Sequence, residues 1–116
     1  MANTLTVNSV ERGANQFQGA YSDMWRAKIT VADQDAVAIN DTAVITCTVP
    51  GVAVGDHVIS WGCSVDLNDA TDQATVTFLV TAANTLTLYI HADVGEFAAD
   101  ALTDGVFKVL IGRPSW

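Results

Sequence analysis

The sequence predicts an all-β protein, a β-sandwich or jelly-roll-like barrel of about seven to eight short antiparallel strands. Three observations carry that expectation. Apolar residues alternate with Thr, Arg or Lys at a period of two in several runs. Gly, Asn, Asp and Pro punctuate those runs, and no stretch sustains a long helical period. Half of the 116 residues are apolar but only 8% are aromatic, a Val, Ala, Ile, Leu and Thr mixture that suits pleated, half-buried surfaces. That length is one domain, divided on sequence grounds into an N-terminal arm or extended segment over 1–25 and a single β-sandwich domain over 26–116.

In chain order, "TLTVNSV" from Thr4 is a weak strand candidate, and the polar, aperiodic stretch from Asn8 to Asp23 reads as an arm or long loop. "MWRAKITVAD" alternates Trp25, Ala27, Ile29 and Val31 with Arg26, Lys28 and Thr30. "TAVITCTV" puts Ala43, Ile45, Cys47 and Val49 on one face against Thr42, Thr46 and Thr48. After the connection "PGVAVGD", a strand over His57–Cys63 groups His57, Ile59, Trp61 and Cys63 against Val58, Ser60 and Gly62.

Val76, Phe78 and Val80 then point inward, as do Leu86, Leu88 and Ile90 beyond the short link "AAN", which makes a hairpin. Asp93–Gly105 reads as one or two helical turns or a long loop. "GVFKVLIG" is apolar on both sides apart from Lys108 and so belongs in the middle of a sheet or beneath a neighbour.

The connection from Pro50 to Asp56 stays apolar where a solvent loop turns polar. Pro50 fixes φ, Gly51 permits a sharp turn, and Gly55-Asp56 returns the chain to a strand. Val52 and Val54 are therefore expected to stay covered while the chain crosses from one sheet to the other or onto a partner. A crossover separates Cys47 from Cys63, whereas a simple hairpin centred on Gly55 would bring them opposite each other.

The formal charge of −8, with only five scattered Lys and Arg, argues against binding a phosphate backbone. No apolar run approaches the ~20 residues of a membrane span, and residues 1–20 lack the basic and apolar regions of a signal peptide, so synthesis in a cytoplasm is expected. "VDLNDATD" is rich in Asp66, Asn68, Asp69 and Asp72, but Ala70 and Thr71 stand where an EF-type calcium loop needs a carboxylate and a glycine. His57 and His91 lack metal-ligand spacing, and no nucleophile elbow or phosphate loop occurs, so neither catalysis nor a cofactor is expected. Trp61, Tyr89 and Trp25 raise a carbohydrate-binding alternative if two of them expose coplanar rings.

The order "TCTVPGVAVGDHVISWGCSVDL", "ATVTFLVTAANTLTLYIHADVGE", "DGVFKVLIGR" resembles small capsid decoration, or cement, proteins of tailed bacteriophages. The shared features are a V-P-G-φ-A-φ-G-D connection, an A-A-N-T hairpin and a last strand, here Val49–Asp56, Val80–Leu88 and Gly105–Ile111. "SWGC" and His91 depart from that pattern, and the N-terminal third has no counterpart. The resemblance implies a non-catalytic β-sandwich that forms a homo-oligomer, a trimer, on the outer capsid surface of the virion and bridges major capsid protein subunits. A tail or head-tail connector protein of the same fold is the related alternative. The contact residues expected on this reading are Tyr21, Met24 and Trp25 of the arm, Val52, Ala53 and Val54 of the connection, and Trp116 at the tail.

Overall fold

A computed structural model describes residues 3–13, 19–65 and 73–116 and shows seven antiparallel strands in two packed sheets. They are β1 (Thr4–Arg12), β2 (Tyr21–Asp33), β3 (Thr42–Thr48), β4 (His57–Cys63), β5 (Ala74–Ala82), β6 (Thr85–Ala92) and β7 (Val106–Pro114). One sheet has the order β1-β2-β7-β4 and the other β3-β6-β5. The architecture is an open sandwich, without closure into a barrel.

The core forms where the inward residues of both sheets meet. Trp25, Ala27, Ile29 and Val31 of β2 and Phe107, Val109 and Ile111 of β7 pack against Ile45, Val76, Phe78, Leu86, Leu88 and Ile90. Each set follows the period of two that the sequence shows. β7 is paired on both sides, with β2 and with β4, and so lies inside its sheet, as its largely apolar sequence leads one to expect.

The expected arm over 1–25 takes a different form. Thr4–Arg12 is an edge strand laddered onto β2, and β2 itself runs without a break through residue 25. Two register shifts in the β1–β2 ladder, around Thr4/Leu5 and Val7/Ser9, absorb the residues that spoil the alternation. Removing residues 1–20 would therefore strip a strand from the sheet rather than detach a tail. In β4, Trp61 and Cys63 share a side as expected, opposite the inward Val109 and Phe107, and Ser60 and Gly62 face out; a bulge between Val58 and Ser60 changes the rest, so that Val58 lies opposite the inward Ile111 while His57 lies opposite Gly112.

At one end of the strands, the loops 34–41 and 93–105 close over the core without forming a helix. Their shared staple is Gln34, fully buried, whose side chain accepts from Leu102 N at 3.1 Å and donates to the carbonyls of Ala98 and Asp35. A bridge between Val37 and Phe97 completes the cover. The three-stranded sheet has a different character: none of the residues of β3, β5 or β6 is Asp, Glu, Lys or Arg. Its edge strand β3 pairs with β6 through seven consecutive residues without a register shift, and Val44 is exposed there.

Candidate interaction surface

The connection between β3 and β4 crosses from the three-stranded to the four-stranded sheet, and it is pinned from several directions. Asn84, in the β5–β6 turn at φ +59, accepts from Val49 N through its carbonyl and from Gly51 N through Oδ1, and donates its own N–H to Val52 O at 2.7 Å. A short polar residue tolerates that left-handed conformation and can reach the neighbouring backbone. The two motifs that carry the phage-head resemblance are therefore one hydrogen-bonded node.

Beneath the node lies Trp25. Its ring is fully buried, Nε1 donates to Pro50 O at 3.1 Å, and the guanidinium groups of Arg12 and Arg113 stack on it at 4.9 and 5.1 Å. Gly51, at φ +96, passes so close that a Cβ would lie 2.7 Å from Arg12 Nη1 and 3.2 Å from Trp25 Nε1. Arg113 also donates twice to Asp56, at 3.0 Å from Nε and 3.0 Å from Nη2, and once to Gly51 O. Donating these hydrogen bonds to Asp56 raises the Arg113 pKa further and keeps the group charged. Asp56 in turn accepts from Ala53 N, closing the turn that holds Val54 out.

The expected contact residues now divide. Met24, Trp25 and Val52 are buried within the chain, so their side chains support the corner and are covered before any partner arrives. Ala53 is half-buried, whereas Val54 and Trp116 are exposed at 71% and 78%. Val54 is thus a displayed residue, contrary to the expected cover.

Tyr21 and Trp116, from opposite ends of the sequence, meet. They form a ring cluster with His57, with centroid separations of 5.7 to 5.9 Å. Ser115 ties the tail down by hydrogen bonds to the carbonyls of Ala20 and Gly19. The sequence reading did not include His57 among the contact residues; the pairing of β2 and β4 to opposite sides of β7 brings it there.

The aromatic trio considered for sugar stacking is not assembled. Trp61 lies against Phe78 and Phe107, Trp25 is buried, and Tyr89 stands on the outer face of the other sheet beside Val44 and Thr77. His91 contacts Asp93 at 3.8 Å and Thr42 at 2.9 Å, both at the surface. Among the described residues, no group of three or more His, Cys, Asp and Glu is placed to hold a metal ion. The Asp66–Asp72 cluster lies outside the described residues.

Cys47 and Cys63 are free thiols in different sheets, as the crossover implies. Burial among aliphatic neighbours pushes the Cys47 thiol up to about 11. At pH 8 its thiolate fraction should be about 100-fold below that of an ordinary thiol. Iodoacetamide labelling of the folded protein followed by peptide mapping should therefore find Cys47 largely unmodified, and denaturant should restore its reactivity. No protein-family model, curated protein or solved structure matches the chain.

Proposed function

We propose that this chain is a non-catalytic assembly protein that decorates the head of a tailed bacteriophage. It would bind the outer surface of the shell and bridge major capsid protein subunits. The observation that carries the reading is the node: the V-P-G-φ-A-φ-G-D connection and the A-A-N-T turn are clamped together through Asn84. That rigid corner displays Val54, and the Tyr21–His57–Trp116 cluster occupies the same end of the strands. A preorganised apolar end loses little conformational freedom when it docks, which favours affinity.

The mechanism is linkage. Contacts that form only on the assembled lattice stabilise it by the difference in affinity between lattice and free subunits. Expansion or dissociation of the shell must then break those contacts as well.

The test combines location with a surface variant. Mass spectrometry of purified particles should find the chain, and electron microscopy of particles with and without it should show added density on the head exterior. A V54D/W116S variant should lose at least about tenfold occupancy on particles while its melting temperature stays close to that of the unmodified protein. Density at the tail or connector, absence from particles, or undiminished occupancy of the variant would overturn the head-decoration reading.

A further inference from the structure

Three of the chain's five Lys and Arg side chains stand on one outer sheet face, although the chain as a whole carries −8. Arg26 and Lys28 of β2 and Lys108 of β7 all point away from the core and are exposed. Lys28 and Lys108 are directly opposite each other in the ladder, and like charges so placed on neighbouring strands disfavour the fold. Arg26 pairs with Glu11, but neither lysine has an acidic partner within ion-pair distance among the described residues. Small residues flank the pair, with Ser9 opposite Lys28 and Gly62 opposite Lys108, and the face is a shallow groove there. Two adjacent lysines in a groove, in a strongly acidic molecule, form a surface with an incoming carboxylate as its natural complement.

The chain itself supplies one. The end of the sandwich that these loops close gathers Asp33 at the end of β2, Asp35 and Asp41 in the loop after it, and Asp93, Glu96, Asp100 and Asp104 in the other loop, with no Lys or Arg in either segment. Hydrogen bonds from Asp100 N to Gln34 O and from Asp104 N to Val31 O hold these loops together, so their charges are concentrated. Desolvation, then a hydrogen bond to Asp100 and repulsion from Asp100 and Asp35, raise the Asp33 carboxyl above its ordinary range. Neither loop has a Lys or Arg to balance its carboxylates, and on the Lys28–Lys108 face the acidic side chain that lines the groove, Glu11, is already paired with Arg26.

We infer that the outer face of β1-β2-β7-β4 is a self-association surface, on which Lys28 and Lys108 receive the acidic loop end of a second copy. The contact is heterologous, one patch meeting a different patch, so it propagates into a ring if the rotation between copies closes and into a chain if it does not. It requires no shell and stands or falls separately from the decoration reading. The two charge scales give it a recognisable salt dependence. At low ionic strength the repulsion between copies of net charge −8 opposes contact. At about 0.1–0.2 M that long-range term is screened beyond a Debye length of about 8–10 Å while close pairs persist; near 1 M the pairs weaken too.

Sedimentation equilibrium of the purified full chain tests this. Weight-average mass should rise with concentration, most strongly at the intermediate salt, and K28E/K108E should return the protein to a monomer with an unreduced melting temperature. D93K/E96K alone should also weaken association by at least tenfold. An equimolar mixture of K28E/K108E with D93K/E96K should recover mass, because the reversed charges again match. The inference is overturned by a protein that stays monomeric at millimolar concentration across this salt range, even one that binds oligoglutamate. K28E/K108E associating like the unmodified chain, or a mixture that recovers nothing, overturns it as well.

Discussion

Replacing Trp25 with alanine is expected to cost about 3–5 kcal/mol of folding stability, the range for truncating a large buried aromatic residue. For a domain of this size that lowers the melting temperature by roughly 12–20 °C, and it consumes much of the 5–15 kcal/mol that a typical domain has. Three losses combine. The ring is fully buried and leaves a cavity, Pro50 O loses the Nε1–H donor, and Arg12 and Arg113 lose the aromatic surface on which they stack. Trp25→Phe keeps most of the burial but not the donor, and should cost about 1–2 kcal/mol. Urea denaturation of the two variants would show the order. A Trp25→Ala cost below about 1.5 kcal/mol would mean that the corner does not depend on this ring.

Arg113→Met is the second large effect, at about 2–4 kcal/mol. The Asp56 side chain is only 3% exposed, so removing the guanidinium leaves a carboxylate with the Ala53 amide as its remaining donor among the interactions described. Breaking a fully buried pair from one side costs about 3–5 kcal/mol. Arg113 is 34% exposed, and water can reach part of the site, which sets the figure lower. Asp56→Ala in the same background should cost little more, because the orphaned charge is gone. A double-mutant cycle by denaturation should therefore return a coupling of at least about 1 kcal/mol, whereas additive losses would show that the two side chains act independently.

Much of the sandwich is legible in the sequence because alternation is local. The β5–β6 hairpin follows from two Thr/aliphatic runs and Asn84, and the central place of β7 follows from a strand whose outward side is apolar except for Lys108. Strict alternation separates Trp61 and Cys63 from Ser60 and Gly62 but puts His57 and Val58 of β4 on the wrong sides, because the extra residue at the Val58–Ser60 bulge breaks the parity there, and a bulge leaves no periodic mark of its own. β1 was undervalued for the same reason.

The candidate surface was only partly readable. Trp25 shares parity with Ala27, Ile29 and Val31, so its burial was written in the alternation; its aromatic character drew it toward an interface instead. The Tyr21–His57–Trp116 cluster depends on two strand pairings between distant segments, and no spacing in the sequence announces it. Cover for Val52 was expected from its apolar setting, but the outward turn of Val54 comes from Asp56 accepting Ala53 N, a contact between side chain and backbone.

The undistorted, uncharged edge of β3 sets a condition on how this protein can be kept. Proteins commonly guard open edges with lysines, prolines or bulges, and β3 has none of these, while Val44 stands exposed along it. Its protection must come from elsewhere on the molecule. The surplus of carboxylates serves as a colloidal brake, holding copies apart before strand can meet strand. Solubility is thereby delegated to the loops and the opposite sheet, and acidification, which neutralises the brake without altering the edge, exposes the cost of that division.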